Sequence, residues 1–130
     1  MVAYSFQRRF VDPIRMGRKT QTVRGRRKRH ARPGEALQLY TGMRTKSCEL
    51  IARTTCDKVV PIDLHFTEGE SNDFIELDGV RLTGARLFDF ARADGFESWS
   101  ELREFWRVQH GPVTLFEGVM IEWKDLEVRP

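Results

Sequence analysis

The chain has 130 residues, 40% hydrophobic and 32% charged, with a net charge of +3, which suits one soluble globular domain with a real core. No apolar run approaches the length of a membrane span, and the N-terminus MVAYSFQRRF lacks the long apolar segment of a secretory signal. Cys48 and Cys56 are too few for a disulfide scaffold, so a reducing, cytoplasmic setting is expected.

In chain order, Val2–Phe6 alternates weakly and reads as a first strand. Asp12-Pro13 followed by Ile14-Arg15-Met16-Gly17 reads as a short helix, with Asp12 as N-cap, Pro13 at the first position and Gly17 as the stop. A strand follows, with Thr20, Thr22 and Arg24 on one face and Lys19, Gln21 and Val23 on the other. Residues 25–33 form a charged loop ending in the turn Pro33-Gly34, and Ala36–Tyr40 is the next strand. Cys48–Val60 holds a long, bent or interrupted strand. Residues 67–73 form an acidic loop, and Phe74–Leu82 a hairpin turning at Asp78-Gly79. Two helices come next. Thr83 caps one over 84–94, stopped by Gly95; Ser98-Trp-Ser-Glu101 is a capping box opening one that runs to about His110. Val113–Lys124 alternates as a closing strand. The expected class is α+β, one domain over 1–130, with five to seven mostly antiparallel strands and two or three helices. A small barrel would remove the sheet edges.

Charge is unevenly spread along the chain. Residues 1–58 carry fifteen Lys or Arg against four Asp or Glu, or +11; residues 59–130 carry seven against fifteen, or −8. Segregation of this kind predicts a positive face that attracts phosphates. The densest cationic stretch is GRKTQTVR followed by GRRKRHAR, over residues 17–32.

The pattern from Phe6 through Ile14 to Gly17-Arg-Lys-Thr-Gln-Thr-Val-Arg24 resembles the signature of ASCH domains. Pro33-Gly34-Glu-Ala-Leu-Gln-Leu, the Asp94-Gly95-Phe96 turn with the helix after it, and Val119–Trp123 resemble further segments of that family, in the same order. The resemblance implies a β-barrel related to the PUA fold, with helices flanking a cleft, and an association with RNA. One small bacterial branch is similar to amidohydrolases that remove the acetyl group of N4-acetylcytidine. In that branch a Lys and a Thr of the motif and a downstream Glu carry the chemistry. The motif puts the first two on Lys19 and Thr22; segment order puts the acid on Asp94, one methylene shorter. Another branch is linked to ribonuclease activity.

Read as chemistry, Lys19 is the leading base or nucleophile, its pKa lowered by burial and by Arg18 and Arg24. The alternative is a solvated phosphate-binding lysine. Thr22 orients a water or an oxyanion, or is simply a strand residue; Thr20 shares its face. Arg24 clamps a phosphate or stacks on a base. Asp94 sits at a helix end, where the dipole disfavours a carboxylate, so either a partner such as Lys19 or a local turn holds it. Glu97 and Glu101 are the other candidate acids. Arg26, Arg27, Lys28, Arg29 and Arg32, with His30 among them, are expected to contact backbone phosphates. Tyr40 and Arg44 are placed at the cleft mouth as ligand contacts, with core packing the alternative for Tyr40. Trp99, Trp106 and Trp123 read as core. Cys48, Cys56 and His65 lack metal-ligand spacing, and there is no nucleophile elbow, so no metal or cofactor is expected. The expected partner is RNA, another nucleic acid or a modified nucleoside. Three activities stay open: binding alone, N4-acetylcytidine deacetylation, and metal-independent RNA cleavage.

Overall fold

The computed structural model describes residues 1–128. Seven strands and three α-helices follow in the order β1 (Val2–Phe6), α1 (Val11–Arg15), β2 (Gln21–Gly25), β3 (Ala36–Thr41), β4 (Glu49–His65), β5 (Phe74–Leu77), β6 (Val80–Leu82), α2 (Ala85–Ala93), α3 (Trp99–His110) and β7 (Leu115–Glu127). The strands form one mixed sheet in an α+β fold. The 17-residue β4 is its spine. Along one edge β4 pairs first with β3 and then, from Ile62, with β5; along the other it pairs with β7 from Arg53↔Glu127 to His65↔Leu115. Shifts in register near Arg53/Thr55 and Cys56/Lys58 let this long pair bend. β1 runs parallel to β3, β2 antiparallel to β7, and β6 closes the hairpin on β5.

The expected barrel is not what forms. The sheet stays open: among the described residues no backbone ladder joins β1 to β2. Side chains cross the seam instead. Arg24 donates from Nη2 to the Ser5 carbonyl at 2.7 Å, and the Tyr4 hydroxyl bonds His30 Nδ1 at 2.9 Å while accepting from Ala31 N at 3.2 Å.

Alternation places Leu37 and Leu39 of β3, Ile51, Ile62 and Leu64 of β4, and Ile121 of β7 in one core. The helices close it with Ile14, Leu87, Phe90 and Leu102. Trp106 and Trp123 are buried as expected, and Trp99 is too, giving its indole N–H to the buried Asp73 carboxylate at 2.9 Å.

Several local expectations change. β4 runs five residues beyond Val60, and β7 starts at Leu115 rather than Val113. Asp12 lies in the first turn of α1. The N-cap is Phe10, already near helical dihedrals at the end of a 3-10 turn over Arg8–Phe10, so no side-chain cap is needed. Gly84, at φ +56, takes the N-cap of α2; Thr83 contributes its carbonyl, to Arg86 N at 3.2 Å, and not its hydroxyl. Ser98 does cap α3, accepting from Glu101 N at 3.1 Å, but the Glu101 carboxylate turns to Arg9, so half of the capping box forms.

Candidate functional site

The open seam is a cleft of about 410 Å³, within the range of small-molecule sites. Ser5 and Phe6 of β1 form one side, Thr22 to Gly25 of β2 the other, and α3 covers it with Phe105 and His110. The floor is aromatic: Phe10, Phe96 and Phe105 meet at ring-centroid distances of 5.3 to 5.5 Å.

Lys19 and Asp94 meet at the back of this cleft. Lys19 lies just ahead of β2, and its backbone N–H is fixed on the Pro13 carbonyl of α1 at 2.9 Å; the next residue, Thr20, binds the Ala93 carbonyl at 2.9 Å. Strand alternation therefore does not apply to Lys19, which shares the cleft with Thr22 and Arg24. On the other side, α2 ends in a Schellman motif. Phe96 N bonds Ala91 O and Gly95 N bonds Arg92 O, with Gly95 at φ +99 and Asp94 as the C-cap. That turn aims two oxygens at Lys19. Its Nζ donates to the Asp94 carbonyl at 2.6 Å and stands 3.6 Å from Asp94 Oδ1. A Cβ on Gly95 would come within 2.9 Å of Lys19 Cδ, so only glycine leaves room for the lysine stem.

Both charges are buried, at 3% exposure for Lys19 and 5% for Asp94. Burial pushes the Lys19 pKa down from 10.5 to about 8, against the pull of Asp94, and Arg24 and Arg9 push the same way. Arg18, expected to help, is turned outward onto Glu97 at 2.5 Å. Burial pushes Asp94 up from 3.8 to about 6, against Lys19. The negative end of α2 favours the lysine cation, as Asp94 does, and disfavours the carboxylate, opposing Lys19 and Arg24 there. The Lys19 ring neighbours, Phe10 at 4.7 Å and Phe6 at 5.6 Å, favour its cation further. Gln21 points at the pair from β2 and its amide steadies the carboxylate through space. Among the described residues neither Gln21 Nε2 nor Asp94 Oδ1 has a partner of hydrogen-bond geometry; Asp94 lines the cleft, and Gln21 lies behind it.

Thr22, 5% exposed, accepts at Oγ1 from Arg24 Nε at 3.2 Å. That bond occupies the oxygen and leaves the hydroxyl hydrogen to donate. Arg24 is itself committed, with Nη2 on Ser5 O and its guanidinium 4.7 Å from the Phe6 ring.

The basic loop leaves β2 at the cleft rim. It is anchored by buried Ala31, by the Tyr4–His30 bond, and by His30 Nε2 on Gly25 O at 2.9 Å. Arg27 lies 4.5 Å over the Tyr4 ring. Arg26, Lys28 and Arg32 are exposed and form no ion pair among the described residues. Arg29 differs: it pairs with Glu35 at 2.5 Å, and together with the Arg32 N–H it holds the Glu35 pKa down to about 2.

Other expected site residues stand apart. Tyr40 has the opposite strand parity to core Leu39 and bonds Gln38 Oε1 at 3.0 Å on the outer face of β3. Arg44 is exposed in the turn after β3, at φ +67. Thr20 is held through its backbone and does not line the cleft. Glu97 is exposed, taken by Arg18 and Arg92, and Glu101 pairs with Arg9, so Asp94 is the acid beside Lys19. Cys48 is exposed and Cys56 buried, so the two do not share a face. Gln21 and His110, with His110 stacked on Trp106 at 4.4 Å, were not singled out by sequence. Gln21 carried a usable signal, being an amide inside the reactive motif; His110 at a helix end carried none.

No protein-family model and no curated protein sequence matches the chain. No helix among the described residues is long and apolar enough to cross a membrane. The fold does match a solved structure, the crystal structure of ASCH from Zymomonas mobilis, with a TM-score of 0.58 at 15% identity over 97% of this chain and 68% of that one. Likeness at such low identity speaks for the fold, and it agrees with the resemblance carried by Phe6 through Arg24: the chain has the ASCH-domain fold.

Proposed function

We propose that the cleft takes the base of an RNA nucleotide or modified nucleoside and that Lys19, Thr22 and Asp94 hydrolyse an acyl amide on it, as in N4-acetylcytidine. The observation that carries this reading is the buried Lys19–Asp94 pair, 3.6 Å apart, with the two pKa values drawn toward each other. Ordinarily the two groups differ by almost seven pH units; here about 8 and about 6 leave roughly two, so a proton crosses between them at a cost of about 3 kcal/mol. Such a pair can supply a neutral amine and a protonated acid together, which is what amide hydrolysis needs. The Lys19 amine takes a proton from water as its oxygen bonds to the acyl carbon. The Thr22 hydroxyl donates to the oxygen that gains charge. The C–N bond then breaks, the exocyclic nitrogen leaves with a proton from the acid form of Asp94, and acetate and the free amino base result. The aromatic floor suits a flat base, and the cations of the 26–32 loop draw a phosphate-bearing ligand to the rim.

The test is incubation of N4-acetylcytidine with a high loading of protein, followed by chromatography. Cytidine and acetate are expected, with the product lost in Lys19→Met. An unchanged nucleoside sinks the hydrolytic reading. RNA cleavage that persists in chelator and disappears in Lys19→Met would move the chemistry to the phosphodiester.

A further inference from the structure

We infer that a basic groove next to the cleft seats a phosphodiester, so that the ligand of this site is a nucleotide inside a single-stranded RNA rather than a free nucleoside; this rests on the base-in-cleft reading. The groove has a volume of about 370 Å³. Arg26, Arg27 and His30 line one wall, Val59 to Pro61 of β4 the other, and no acidic residue lines it. A cationic wall facing an apolar one suits a sugar–phosphate unit better than a small polar metabolite.

The groove and the cleft are joined. Gly25 lines the cleft and Gly118 lines the groove, and the two are register partners between β2 and β7. Neither carries a side chain, so the ridge between the two hollows is a bare backbone saddle. Gly118 is required by packing, since a Cβ there would overlap the Arg24 carbonyl and the Phe116 ring. Gly25 is not: its φ is ordinary, and a Cβ would meet only Phe116 Cζ, at 3.8 Å. The fold tolerates a side chain at Gly25, and its absence keeps the passage open. Along the strand, Arg24 in the cleft and Arg26 in the groove are two residues, about 6.6 Å, apart. That separation is within reach of a phosphate attached to a nucleoside already seated beside Lys19. The wall is also held in place: His30 is bonded to Gly25 O and to Tyr4, and Arg27 gives Nε to the Arg29 carbonyl at 2.8 Å. Arg26 makes no side-chain hydrogen bond among the described residues and is exposed at the groove, where it can meet the phosphate. A base that reaches the depth of Lys19 has left any stack, so the strand entering here is single.

The experiment is a salt series of fluorescence-anisotropy titrations with a single-stranded RNA oligomer carrying one N4-acetylcytidine, set beside competition by the free nucleoside. The oligomer is expected to bind at least tenfold more tightly than the nucleoside. Arg26→Gln is expected to weaken it about tenfold and to lower the salt slope by about 0.7, one phosphate contact on a single strand. Gly25→Val, which fills the saddle, is expected to weaken the oligomer at least as much. Equal affinity for oligomer and nucleoside, or an Arg26→Gln protein with unchanged affinity and slope, overturns the inference even if deacetylation is found. Arg26-dependent binding without any deacetylation upholds it and removes the hydrolytic reading instead. Arg26 is exposed and forms no side-chain hydrogen bond or ion pair among the described residues, so its variant is expected to keep the fold, which a thermal scan checks.

Discussion

Lys19 and Asp94 are costly residues to bury, and their cost depends on pH in a direction that can be worked out. Asp94 titrates near 6 folded and near 3.8 unfolded, so between those values the folded state holds a proton that the unfolded state has released. Its contribution to stability is complete below pH 3.8 and is lost as pH rises through about 6. Lys19 runs the opposite way. With a folded pKa of about 8 against 10.5, its contribution is complete above 10.5 and is lost as pH falls through about 8. The chain is therefore expected to have a stability trough between about pH 6 and 8, each wall worth about 3 kcal/mol by the size of these shifts. Urea unfolding from pH 4 to 10 measures it, read as wild type minus the double variant Lys19→Met/Asp94→Asn; a difference that does not change with pH removes the pair as its cause. The single variant Lys19→Met, which strands Asp94, is expected to lose about 3 kcal/mol at pH 7, more than the double variant does. Activity is expected where the stability is lowest. With one proton shared by the pair, kcat/KM should be bell-shaped, falling below about pH 6 when a second proton binds and above about pH 8 when the last one leaves.

At the scale of elements, the site is made by a helix end meeting the start of a strand. Asp94 lies at the C-cap of α2 and Lys19 just ahead of β2; Gly95 lets them touch. Gly95→Ala places a side chain at φ +99 and within 2.9 Å of the Lys19 stem. It is expected to cost about 1–2 kcal/mol for the backbone alone and to displace Lys19. Activity should then fall by more than the stability loss explains, because a group moved by about 1 Å in a catalytic pair loses large rate factors. Thermal unfolding and steady-state kinetics on the same preparation separate the two; a variant that is less stable but fully active denies Gly95 its positioning role. Much of this junction was legible. Gly95 as a helix stop, Ser98 as a cap and the Asp78-Gly79 hairpin follow from local turn chemistry, and local rules hold where the partner groups are within a few residues. Lys19 and Asp94 were singled out, but their contact spans 75 positions and depends on where α1 and α2 dock, which no periodicity encodes. The placement of Tyr40 has the same origin. Its strand was legible, yet which face Tyr40 takes depends on β3 packing its Leu37 and Leu39 inward.

For the whole molecule, the charge separation read along the sequence is partly offset in space. Arg9 meets Glu101, Arg18 meets Glu97 and Lys19 meets Asp94, each joining the basic first half to the acidic second half. The densest cluster of cations without an ion-pair partner among the described residues is the loop after β2, at the rim of the open seam, with Arg44, Lys46 and Lys58 exposed elsewhere. The seam is also why the expected barrel fails: where a ladder between β1 and β2 would close it, the Ser5 carbonyl takes the Arg24 side chain instead. Arg24 thus does in one side chain what a strand pairing does elsewhere, and leaves beside it the space that a ligand needs. Arg24→Met, which keeps the apolar stem over Phe6, removes the charged bonds to Ser5 O and Thr22 Oγ1. It is expected to lower the unfolding free energy by about 2 kcal/mol with an unchanged denaturant slope. If the seam is held as described, native-state hydrogen exchange should also rise in β1 and β2 while the β4–β7 pairing, bonded along nearly its whole length, keeps its protection. Exchange that rises evenly over all strands would instead show that the sheet opens as one unit and that Arg24 is not its local clasp.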